Sequence, residues 1–218
     1  MAAAQVQGLG KRGRESWTPA EQWRQLARTV PGALLLVATS EADKVLTCLD
    51  SAHRRLLWTM AVDLLEIGRK GNPPQRPSGR SVPASYGEVA RLGGLHAAAG
   101  HLFALCAERL GLPRGDDAAG ARWRAWDGRR SEAARHADEA LRRLRSTMTD
   151  LQAAAQVLVV LQSRPPESPP RVAWTSEAEQ LVRHAVGEVA AARDAVRRMR
   201  DAVFLEFFAA WAVLTSHR

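Results

Sequence analysis

The chain has 218 residues, 46% apolar and 25% charged, which excludes a wholly disordered polymer and suits one folded domain or two small ones. Lys and Arg number 31 against 23 Asp and Glu, a net charge of +8 that favours acidic partners, nucleic acid or anionic lipid. Lys11, Lys44 and Lys70 are the only lysines, and Ile67, Asn72 and Tyr86 are each alone of their kind, so GC-rich coding accounts for the arginine excess before any partner does.

Residues 1–16 read as a flexible basic tail. They lack the apolar core of a secretory signal and carry no acid before Glu15, a composition faintly like an organellar transit peptide. Lys11-Arg12-Gly13-Arg14 has the short basic form of a nuclear import signal. Gly8-Leu9-Gly10-Lys11-Arg12-Gly13 matches the spacing of a dinucleotide-binding loop, but no strand precedes it, so it belongs to the tail. Trp17-Thr18-Pro19-Ala20-Glu21 resembles the opening of a Myb or SANT repeat; the further tryptophans of such a repeat are missing, and the resemblance is set aside. Cys48 and Cys106, far apart in apolar helical patterns, argue for a reducing compartment and against a disulfide framework. The expected location is intracellular, cytoplasmic or nuclear.

Thr18, Pro19 and Glu21 open a short helix expected to run to Val30, where Pro31-Gly32 interrupts it. Ala33–Ala38 is apolar, a helical turn or a run-in to the next element. Ser40-Glu41-Ala42-Asp43 is a second start signal, and Val45, Leu49, Ala52, Leu56, Met60, Leu64 and Ile67 recur at helical steps until Gly71. A Pro, Ser, Gly and Arg linker follows near 71–84. Ser85 and Glu88 form a capping box for a third helix with its apolar face on Val89, Leu92, His96, Ala99, Phe103, Cys106 and Leu110, closed by Gly111 and Pro113. Gly93, Gly94 and Gly100 within it suggest close approach of a neighbour.

A polar loop is expected near 113–130. From Ser131 the positions Ala137, Leu141, Leu144, Met148, Leu151, Ala155 and Leu158 keep a heptad register. A proline-rich linker near 164–175 leads to a last helix opened by Ser176 and Glu179, whose seam runs from Val182 through Val189, Val196, Val203 and Phe207 to Leu214. No alternating strand is present, and no stretch has the roughly 18 uninterrupted apolar residues of a membrane span. The expected fold is all-α, an antiparallel bundle of four long helices plus a short N-terminal one, forming a single domain over 17–218.

Motifs for catalysis are absent: the chain has no P-loop, HExxH, GxSxG or CxxC. His96, His101 and Cys106 are five residues apart, and each step turns about 140° on a helix, so they share no metal-binding face. Acids mostly stand four residues before an arginine, as in Asp138 with Arg142, Glu139 with Arg143 and Asp194 with Arg198, the order of solvated helix pairs. No cofactor or metal is expected.

Two segments remain as candidate interfaces. Arg122, Trp123, Arg124, Trp126, Arg129 and Arg130 in the second linker interleave cations with rings, a pattern that stacks bases and neutralises phosphates; the competing reading has the tryptophans capping the bundle end. On a helical wheel Val203, Phe204, Phe207, Phe208, Trp211 and Leu214 cover about 140°, with Ala202, Ala209 and Ala212 opposite. Phe204, Phe207, Phe208 and Trp211 are therefore candidate partner-binding residues, unless the face packs on Trp17, Trp23 and the Leu34–Val37 run within the bundle. The expected role is a non-enzymatic interaction or scaffold module with a protein partner; the alternative is a nucleic-acid-associated protein using the Arg/Trp-rich linkers.

Overall fold

Pro31 opens a helix. In the computed structural model, which describes residue 21 and residues 28–64, 76–77, 79–112, 114–115, 118–163 and 170–215, α1 runs unbroken over Val30–Trp58. Thr29 caps it: its hydroxyl accepts from Gly32 N–H at 3.2 Å and its carbonyl from Ala33 N–H at 2.9 Å. Proline in a first turn gives up an amide with no intrahelical partner, which is why Pro31 is tolerated here. The expected break at Pro31-Gly32 and the second start at Ser40 are corrected accordingly, since Ser40–Asp43 lie inside α1. The short helix expected before Val30 falls largely outside the described residues. A six-residue π-helical stretch, Thr59–Leu64, continues α1, and the end expected near Gly71 also lies outside them.

α2 spans Ser81–Arg109 and starts ahead of the expected cap. Ser85 is buried, and its hydroxyl donates to the Ser81 carbonyl at 2.9 Å, a bond made inside a helix. The exit follows the expectation. Gly111 adopts a φ of 63°, its N–H donates to Glu108 O, and Leu112 N–H reaches back to Ala107 O at 3.1 Å, the paired bonds of a Schellman cap.

α3 spans Ala118–Gln162, so the linker expected over 113–130 is corrected: most of it is helix. The polar arginines hid a helical stripe, for Ala119, Trp123, Trp126 and Ala133 are all buried. α4 spans Pro170–Leu214, beginning on a proline at its first position, ahead of Ser176. The linkers expected near 71–84 and 164–175 are shortened likewise, because 81–84 and 170–175 are helical.

The seam of α4 matches the sequence reading from Val182 to Phe207, each position being buried. On α3 the match is half. Ala137, Leu144, Leu151 and Leu158 are buried, but Leu141, Met148 and Ala155 are only half-buried, and Ala140, Thr147, Ala154 and Leu161 take the inner places. Thr147 can do so because its hydroxyl is satisfied by the Arg143 carbonyl at 3.0 Å.

The chain divides into two compact units. One takes the described residues up to Ala42, Leu92–Arg135 and the end of the chain from Arg198; there Gly100 faces Arg130 while Phe103 meets Trp126, so α2 and α3 run antiparallel. The other takes Asp43–Arg91 and His136–Arg197. In it Arg145 donates to Tyr86 Oη at 3.0 Å, Arg143 bridges to Glu188 at 2.8 Å, His184 pairs with Asp150 at 2.7 Å and Arg193 with Asp50 at 3.1 Å. The pairs 143 with 188 and 150 with 184 put α3 and α4 antiparallel as well. The architecture is an all-α antiparallel bundle of four long helices, with no strand among the described residues. α2 is by length and composition long and apolar enough to cross a membrane, a property shared by core helices of bundles, and its Val82, Val89, Leu92, Ala99 and Phe103 are buried.

Candidate functional site

The Arg/Trp segment is built as a helical face with its rings turned inward. Trp123 and Trp126 are buried, and with Phe103 they form a cluster whose ring centroids lie 4.6 to 5.9 Å apart. This corrects the picture of exposed rings between cations in a loop: both rings are buried and packed on each other and on Phe103. Arg130 lies over Trp126 with its guanidinium carbon 5.5 Å from the ring centroid, and its side chain crosses Gly100. Arg129 pairs with Glu132 at 2.9 Å. Arg122 and Arg124 point to solvent and make no ion pair among the described residues.

The C-terminal aromatic face is split. Phe207 is buried at 1% exposure, whereas Phe204 stands 43% exposed and Phe208 and Trp211 are half-buried. The three Phe rings are in edge contact, Phe204 with Phe208 at 5.0 Å and Phe207 with Phe208 at 5.8 Å. The side facing the core is Ala202, Val203, Glu206, Phe207, Ala210 and Val213, so of the bulky face only Val203 and Phe207 turn fully inward, and Ala202, placed opposite that face on the wheel, lies inside as well. Alanines let helices approach closely, and Glu206 has a reason to be inside.

That reason is His96. Its Nε2 lies 2.6 Å from Glu206 Oε2, with the side chains 3% and 0% exposed, so a hydrogen bond joins α2 to α4 within an apolar core. Glu206 Oε1 meets no partner among the described residues. The sequence placed His96 on the apolar face of α2, but Glu206 is far away in the chain and no local spacing links the two. His101 is exposed and Cys106 half-buried, as their spacing implied. No group of three metal-ligating side chains occurs among the described residues. Cys48, read as part of an apolar pattern, is exposed.

In the other unit the ion pairs are mostly those of solvated helices, with one extension. Glu139 takes both Arg142 and Arg143, which hold its carboxylate below the usual range, and Arg143 also reaches Glu188 on α4. Asp194 pairs with Arg197 in place of the expected Arg198. The Asp150 carboxylate holds His184 above its ordinary pKa; burial, aided by Arg193, pushes His53 below its own.

A cavity of about 720 Å³ lies where α2 ends. His101, Ala104, Leu105 and Glu108 line it from α2, Leu112 and Arg114 from the loop, and Trp123 from α3. The Arg114 guanidinium carbon sits 4.4 Å from the Trp123 ring centroid. The sequence did not mark this site, because its residues come from three segments with no common motif. Comparison with family models, with curated proteins and with solved structures returns no match to this chain.

Proposed function

We propose that the protein is a non-enzymatic helical interaction module that engages a protein partner through the outer side of α4 near its C-terminal end. The observation that carries this reading is the adjacent pair Phe204 and Leu205, each 43% exposed, beside half-buried Phe208 and Trp211. Aromatic side chains with one face in a partner pocket supply much of the energy of protein interfaces. Phe207 anchors the same turn from within, so the outer rings stand on a rigid support.

The test is capture of partners from native cells by the tagged protein and by the variant Phe204→Asp with Leu205→Asp, with and without nuclease. A partner held by the wild type, lost by the variant and indifferent to nuclease supports the reading, provided both proteins unfold at the same denaturant midpoint. Retention of every partner by a folded variant overturns it. A second reading, association with nucleic acid, draws on Arg122 and Arg124, exposed on α3 without ion pairs among the described residues. It requires that Arg122→Gln with Arg124→Gln flatten the salt dependence of binding.

A further inference from the structure

The cavity at the end of α2 brings together two opposite charges that are not spent on each other. Glu108 and Arg114 both line it, and neither forms a salt bridge with a described residue. Arg114 is nonetheless held in place, stacked on Trp123, which packs in turn against Phe103 and Trp126. The Glu108 backbone is fixed by the helix end, where its carbonyl accepts the N–H of Gly111 in the terminating cap, and its side chain is exposed. Apart from His101 and Gly111, the rest of the lining is apolar: Ala104, Leu112, the buried Trp123, and Leu105, which is 41% exposed.

We propose that this cavity binds a small zwitterion, a carboxylate and an ammonium carried on an apolar body, with Arg114 taking the carboxylate and Glu108 the ammonium. A planar guanidinium presents paired donors suited to a carboxylate, and one already fixed by stacking loses less freedom when it binds. Glu108 offers acceptors only, which an ammonium satisfies. The apolar body covers Leu105 and Leu112. The arrangement also selects by exclusion. A simple anion meets the Glu108 carboxylate, a simple cation meets the Arg114 guanidinium, and a neutral apolar molecule strips water from both charges without replacing it. His101 lies on the same face of α2 as Leu105 and Glu108 and adds one polar group at the rim.

The test uses the full chain and three probes of one shape: L-phenylalanine, 3-phenylpropionate, which lacks the ammonium, and phenethylamine, which lacks the carboxylate. Binding is followed by the amide NMR shifts of Gly111 and Leu112. L-phenylalanine is expected to bind about tenfold or more tighter than either analogue, the equivalent of one decade in Kd. Arg114→Gln should abolish its advantage over phenethylamine, and Glu108→Gln its advantage over 3-phenylpropionate. Both changes are at exposed side chains, and unfolding curves will verify that the variants fold. The proposal is overturned if millimolar L-phenylalanine leaves these amides unmoved, if the three probes bind alike, or if neither folded variant changes the ranking.

Discussion

His96 and Glu206 meet across the core at 2.6 Å, each closed off from solvent, and the second carboxylate oxygen of Glu206 has no partner among the described residues. Around them stand Leu92, Ala99 and Phe103 on α2 and Ala202, Val203, Phe207 and Ala210 on α4, all apolar and buried. A polar pair in such surroundings is strong only while both members are present. Removing one leaves the other buried without its partner, which typically costs about 3–5 kcal/mol, whereas replacing both by apolar groups of similar volume is often neutral or gains about 1–4 kcal/mol. His96→Leu and Glu206→Leu alone should therefore each lower the denaturant midpoint sharply. The double variant should recover most or all of the loss. Simple additivity of the two single losses would refute the coupling.

Phe207 and Phe204 are separated by less than one helical turn and have opposite surroundings. Phe207→Ala deletes a ring from the core and should cost about 3–5 kcal/mol. Phe204→Ala removes a partly exposed ring in edge contact with Phe208, and the expected loss is about 1 kcal/mol, mostly the aromatic pair. Equilibrium unfolding of the two variants measures the difference; equal losses would mean that α4 is rotated from the orientation described.

The contrast shows what could be read from residue order. Helix-forming periodicity is local, so the four helices and the seam of α4 were legible. Helix ends were less so: Ser85 and Ser176 look like caps in sequence, yet Ser85 bonds inside its helix, and the prolines at 31 and 170 begin helices. Rotation about the helix axis was the least legible property. Local pattern left open whether the Phe-rich side of α4 meets a partner or the core; the side that turns inward carries Glu206 and Phe207, and a bond between residues 96 and 206 leaves no mark in either local pattern. The cavity left no mark either, because its residues come from separate segments.

Two histidines of one unit should titrate in opposite directions. His184 donates to Asp150 at 2.7 Å, and this bond raises its pKa, so its contribution to stability is full below the ordinary 6.5 and disappears as pH rises through the higher folded value. His53 is pushed below 6.5 first by burial and then by Arg193, against the opposing pull of Asp50. Its neutral form is favoured by folding, so its contribution is full above 6.5 and is lost as pH falls through the lowered value. NMR titration of the imidazole Cε1–H signals should place His184 above and His53 below the ordinary value. Asp150→Asn should bring His184 back toward it and leave His53 where it is.

The glycines of α2 divide by what a methyl group would meet. Gly94 faces open space, so Gly94→Ala should stabilise the helix by about 0.5–1 kcal/mol, the usual difference between these residues inside a helix. At Gly100 the added carbon would come within 2.5 Å of Arg130 Nε, and Arg130 lies over Trp126, so the arginine side chain must shift to make room. Gly100→Ala should thus gain less than Gly94→Ala. The two effects can be separated by repeating the change in an Arg130→Ala background, where the obstacle is gone and the helix gain of about 0.5–1 kcal/mol should return. If Gly100→Ala stabilises the protein equally with and without Arg130, the close approach of α2 and α3 at this level is disproved, and the sequence expectation that glycine marks such an approach holds at neither position.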